Sequence, residues 1–186
     1  MPIFATNTGT FSPLSVKGIH ATGSVSEYLI GNSLKFDKDA DSTLTRSITT
    51  TGNQTKFTLS CWVKPSHDYD YTYLIGVSSS FSLYWTSSQK LHAEMYSPDG
   101  STWAVISDTQ AIFPDVTSWY HVVATVDSSA GTTNADRFKI WVNGVQQTID
   151  FTTYWAGLID GPIKHLNESG QTHQINSRPG ATYHSS

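Results

Sequence analysis

A two-residue apolar rhythm recurs along this chain and limits how it can fold. In FTLSCWVK (57–64) the apolar set is Phe57, Leu59, Cys61 and Val63. In WYHVVATV (119–126) it is Tyr120, Val122, Ala124 and Val126, with His121 on the opposite set. In RFKIWVNG (137–144) it is Phe138, Ile140 and Val142. Successive side chains of a strand point to opposite faces, so each run buries one face and presents the other. No segment shows a helical period, and Pro114 to Ser118 has room for one helical turn.

Further strands are expected at Ser33–Phe36, Ser42–Thr45, Tyr73–Val77, Ser80–Trp85, Lys90–Tyr96, Trp103–Ser107 and Val145–Ile149. Turn signals separate them: Ser97-Pro98-Asp99-Gly100, Ser128-Ser129-Ala130-Gly131 and Asn143-Gly144. Asn-Gly between two strands marks a tight hairpin, because both central positions need φ > 0. Many short strands with regular turns predict an all-β fold, a two-sheet antiparallel sandwich. Residues 1–31 read as an extended N-terminal arm, 32–155 as the sandwich, and 156–186 as a polar C-terminal tail without a strong strand.

Trp141 breaks the polar side of its strand. Only the inner faces of a sandwich are buried, so Trp141 points outward and reads as a protein-contact residue. Phe4, Phe11, Tyr154 and Trp155 join it as interface candidates. Hydrophobic residues make up 38% of the 186-residue chain and charged residues 14%, enough apolar material for one core. A net charge of -4 and the absence of a Lys/Arg cluster exclude a nucleic-acid footprint. The single cysteine, Cys61, rules out an intrachain disulfide and reads as a small core residue. MPIFATNTGT has neither a basic nor an apolar signal region, and no run reaches the ~18–20 apolar residues of a span, so neither secretion by a signal peptide nor membrane insertion is expected.

Four motifs in order, NSLKFDKDADSTLTRSI, FTLSCWVKPS, SWYHVVATVDSS and DRFKIWVNGVQ, resemble the concanavalin A-like/laminin-G-like jelly rolls of tailed-bacteriophage structural proteins. The resemblance spans residues 32–155. It implies a non-enzymatic virion component, a capsid decoration, head-fibre or tail-fibre subunit anchored through its terminal arms. The implied partners are other virion proteins (capsid, portal or tail components) and further copies of the chain. It would be made in the host cytoplasm and reside on the particle surface. Relatives close with a glycine- and aromatic-rich strand, whereas this chain reads RPGATYHSS. A neighbouring chain, the N-terminal arm or further polypeptide is therefore expected to complete that sheet edge.

The alternative function is a lectin for host-surface polysaccharide. Exposed rings stack on apolar sugar faces while carboxylates fix hydroxyls, and Asp68, Tyr69, Asp70, Tyr71 and Tyr73 have that character, as do Asp99 with Trp103 and Tyr154 with Trp155. Glycoside hydrolysis needs two carboxylates flanking one bond. Glu94 stands alone in its strand, Glu27 and Glu168 lie in the arms, and no E-x-D-x-x-E arrangement occurs. Neither a G-x-S-x-G elbow nor metal-ligand spacing among the histidines is present, so His165, His173 and His184 read as surface residues. No cofactor is expected. Asp37, Asp39 and Asp41 have the alternate spacing that opens a calcium loop but lack its glycine and closing glutamate, which leaves calcium as a weak alternative to a solvated turn. Asp68 and Asp70 are a second, weaker set of oxygen ligands.

Overall fold

The structure is a computed structural model, and it describes residues 34–36, 42–65, 71–78, 80–96, 103–152 and 161–177. The chain divides into two compact units, Met1–Lys35 and Phe36–Ser186. All of the described strands lie in the second unit.

Among the described residues the strands are β1 (Leu44–Ser47), β2 (Lys56–Val63), β3 (Thr72–Val77), β4 (Phe81–Trp85), β5 (Leu91–Tyr96), β6 (Trp103–Thr109), β7 (Tyr120–Asp127), β8 (Phe138–Val142), β9 (Val145–Gln146), β10 (Ile149–Thr152) and β11 (Thr172–Ile175). A single helical turn, α1 (Asn134–Arg137), precedes β8. The strands form two sheets, β1-β11-β3-β4-β5-β6-β10 and β2-β7-β8-β9. Every pairing is antiparallel. This is the two-sheet sandwich that the alternation predicts.

The core lies between the sheets. Phe81, Leu83, Trp85, Leu91, Ala93, Met95 and Val105 face it from the larger sheet. Val122, Ala124, Val126, Phe138, Ile140 and Val142 face it from the smaller. Phe57 meets Phe81 edge-on at 5.6 Å, and Trp85, Phe113 and Tyr120 close one end as a triangle of rings. Cys61 packs against this core as expected, and burial pushes its thiol up to about 11. The hairpin at Asn143-Gly144 has φ of 51° and 80°, the positive values its sequence requires.

Four expectations need correction. The C-terminal segment does carry a strand: β11 lies between β1 and β3, so this chain itself fills that part of the sheet. Ile163 and Leu166 enter the core. Hydrogen bonds join 161–171 to the stretch before β2, including Gly52 N–H to Asn167 O (2.8 Å), Ile48 N–H to Gln171 O (2.9 Å) and Ser169 Oγ to Thr49 O (2.9 Å). The sandwich therefore continues through this segment rather than stopping at 155.

Second, Val145–Ile149 is not one strand. β9 pairs with β8 in the smaller sheet, whereas β10 pairs with β6 in the larger. The chain crosses the sandwich at Gln147-Thr148, and the alternation of residues is the same on either side of such a corner.

Third, the helical turn is at Asn134–Arg137, not Pro114–Ser118. Thr133 and Asp136 make a reciprocal capping box that holds it, a T-x-x-D signal visible in the sequence. Gly131 makes the loop feasible, since at φ +49° a Cβ would lie 2.5 Å from Asp136 Cγ. At 115–117 the Asp115 carboxylate instead accepts from Thr117 N–H (2.7 Å) and Thr117 Oγ1 (2.6 Å), folding a local turn. Fourth, Leu34–Phe36 is not a strand.

Candidate functional site

Each sheet turns a second set of side chains away from the core, and these two outer faces are the candidate sites. On the smaller sheet the outward residues of β2 include Ser60 and Trp62, those of β7 His121 and Val123, and those of β8 Lys139 and Trp141. Register puts Trp62 beside His121 and Trp141 beside Val123. The Trp62 and His121 rings stack at 4.9 Å and 19°, and His121 Nε2 is hydrogen-bonded to Ser60 Oγ at 3.0 Å. Trp62 remains 51% exposed. Trp141 is half-buried and points outward, as its place in the alternation requires. The Asn143 side chain accepts from His121 N–H (2.8 Å) and its own N–H donates to His121 O (2.8 Å), so the hairpin fixes the end of this face.

The outer face of the larger sheet is polar. Tyr71, 39% exposed and at φ 57°, covers Tyr73 and Tyr84, with ring centroids 6.5 and 5.5 Å away. Tyr73 and Tyr84 are buried and lie 4.9 Å apart. Tyr84 in turn touches the His92 ring at 4.9 Å. Glu94 accepts from Tyr84 Oη (3.1 Å) and Ser82 Oγ (3.2 Å). His92 Nδ1 meets Asp108 Oδ1 at 2.9 Å, while its buried Nε2 lies 3.5 Å from Glu94 Oε1, a charge-pairing distance without hydrogen-bond alignment.

Burial pulls the His92 pKa down, but the Glu94 and Asp108 carboxylates outweigh it and raise the pKa above the ordinary histidine value. Burial, and then the Glu94 carboxylate, push the Tyr84 hydroxyl well above the usual tyrosine range. Glu94 is thus the acceptor that ties β4 to β5 on this face.

Of the candidate glycan and interface residues, Tyr71, Tyr73 and Trp141 are described with their side chains, and Tyr71 and Tyr73 come together. Trp103 opens β6 opposite Tyr96, and only its backbone is described. Phe4, Phe11, Asp37, Asp39, Asp41, Asp68, Tyr69, Asp70, Asp99, Tyr154, Trp155 and His184 lie outside the described residues. Among the described residues no group of histidines and carboxylates is placed to hold a metal ion.

Glu94 is not isolated, as the sequence suggested: strand register brings Asp108 to His92 beside it. Nor are His165 and His173 free surface residues. His165 Nδ1 is hydrogen-bonded to Ser80 Oγ at 2.9 Å, and His173 is half-buried in β11, where burial and then Arg46 lower its pKa. Trp62, Tyr84, His92 and Asp108 were missed, and His121 was placed on its strand's outward set without a functional role. The alternation that predicts the core places each of them on an outer set, but it does not say which of them meet.

An antiparallel sandwich with outward rings and polar side chains defines a β-sandwich domain with two candidate binding faces. Residues 37–170 match the model described as the concanavalin A-like lectin/glucanases superfamily, and the chain belongs to that superfamily. A search of curated proteins finds no match. No helix among the described residues is long and apolar enough to cross a membrane.

Proposed function

We propose that this chain is a non-enzymatic structural component of a bacteriophage virion, a decoration, head-fibre or tail-fibre subunit whose sandwich serves as a contact module. The observation that carries the reading is the exposed Trp62–His121 stack, with Trp141 on the same outer face. Aromatic rings left on a surface favour burial against a partner, and interface cores are enriched in them. The order of motifs shared with phage jelly rolls supports the virion setting. In this reading capsid, portal or tail proteins and further copies of the chain are the partners, residues 1–31 are the anchor, and the particle surface is the location. The double variant Trp62→Ala/Trp141→Ala, checked for native circular dichroism, should be depleted from assembled particles. Full incorporation would remove the contact role. A chain lacking residues 1–31 should stay folded and fail to incorporate.

The tyrosine face favours a second reading, recognition of a host-surface polysaccharide. Tyr71 offers a ring to an apolar sugar face above a network of carboxylates and hydroxyls. A glycan array should give signal that Tyr71→Ala removes without unfolding the domain, and a blank array would dismiss this reading. Neither reading includes catalysis: incubation with capsular polysaccharide should release no reducing ends, and release would reinstate a hydrolase.

A further inference from the structure

We propose that His92 is a pH-dependent clamp that positions the tyrosine platform: the charged imidazole holds β4, β5 and β6 together on their outer side, and the neutral one releases them. Three strands meet at this ring. Tyr84 comes from β4, Glu94 from its own strand β5, and Asp108 from β6. Asp150 on β10 is directly opposite Asp108, with its carboxylate accepting from Gln110 Nε2 at 2.6 Å. Lys90 precedes β5, two residues before His92. Tyr71 and Tyr73 both pack on Tyr84, which touches the ring.

The His92 ring thus lies between two carboxylates, and a third, Asp150, stands one strand beyond Asp108. A charged ring offsets the repulsion between Glu94 and Asp108 and the like-charge pair Asp108–Asp150. A neutral ring leaves both uncompensated. Glu94 is also the acceptor that orients the Tyr84 hydroxyl, and Tyr84 carries the exposed Tyr71 ring. Loosening at Glu94 therefore reaches the platform through two contacts.

The direction follows from the raised His92 pKa. A group whose pKa is higher folded than unfolded contributes stability fully below its unfolded value, near 6.5 for histidine, and loses it as pH rises through the folded value. The platform is closed in mild acid and opens in mild alkali. As a control on ligand capture the inference rests on the glycan reading; as a statement about the fold it does not.

Two saccharide-free measurements test it. In the wild-type chain the His92 Hε1 resonance should titrate with a midpoint above 6.5, with the Tyr71 and Tyr84 ring resonances shifting at the same midpoint. A midpoint at or below 6.5, or tyrosine rings that do not follow, overturns the clamp. Between about pH 6 and pH 9 the wild type should lose melting temperature relative to His92→Gln. Asp108→Asn should lower the His92 midpoint. Equal pH profiles for wild type and His92→Gln also overturn it. The glycan array read at both pH values should lose signal at the higher pH in the wild type and not in His92→Gln. A blank array at both removes the lectin reading and leaves the clamp to the first two measurements.

Discussion

The two outer faces of this sandwich rest on one core and solve the same problem differently. On the smaller sheet Trp62 and His121 stack in the open, tied by one side-chain hydrogen bond to Ser60. On the larger sheet Tyr84, His92, Glu94, Asp108 and Ser82 hold one another in a largely buried network, and among the described residues Tyr71 offers an exposed ring. The first face has unspent apolar surface and suits a flat, dry contact. The second has most of its polar groups engaged and suits a ligand that meets one ring and a few acceptors. Alternation guarantees that an outer face exists. Its chemistry is set by which outward residues the register makes neighbours.

The largest effects should come from the layer that both faces share. Leu83→Ala in the larger sheet and Ile140→Ala in the smaller should each cost about 2–5 kcal/mol in denaturant unfolding, because both side chains are buried in the core. A large asymmetry between them would mean that the faces do not rest on one core. Cys61 probes the alternation itself, since it points inward between outward Ser60 and Trp62. With its thiol near 11 instead of 9.0, alkylation at about pH 8 should be about 100-fold slower in the native protein than after unfolding. Equal rates would place the thiol on the outer face.

Between the faces, Glu94→Ala should destabilise by about 1–3 kcal/mol, as Tyr84 and Ser82 lose their shared acceptor and His92 a nearby carboxylate. Ser60→Ala on the smaller sheet should stay within about 0.5 kcal/mol. Similar values would erase the distinction between a held network and an open platform. Trp62→Ala should also cost little, within about 1 kcal/mol, because half of the ring is already in water. Under the proposed contact role, particle incorporation, not stability, should register its loss.

The alternating strands were legible because their burial is one-sided: β2, β7 and β8 each read as apolar teeth on one edge. β11 was not. THQI has no alternation to read, and it is held by pairing with β1 and β3 instead of by apolar burial. Ile163 and Leu166 were hidden for a related reason, as two apolar side chains in a polar loop show no period, yet both are buried. Trp141 could be assigned outward from its neighbours. The meeting of His92, Glu94 and Asp108 could not, because it depends on the pairing of β5 with β6.

The sequence by itself determined the class of fold and which side of each strong strand faces inward, since a period of two leaves one way to bury the apolar set. Only the tertiary structure decided the partners across strands: the strand from the tail within the larger sheet, the corner at Gln147-Thr148, and the imidazole between two carboxylates. Register is a long-range property, set by how distant segments pack against each other, and no local pattern carries it.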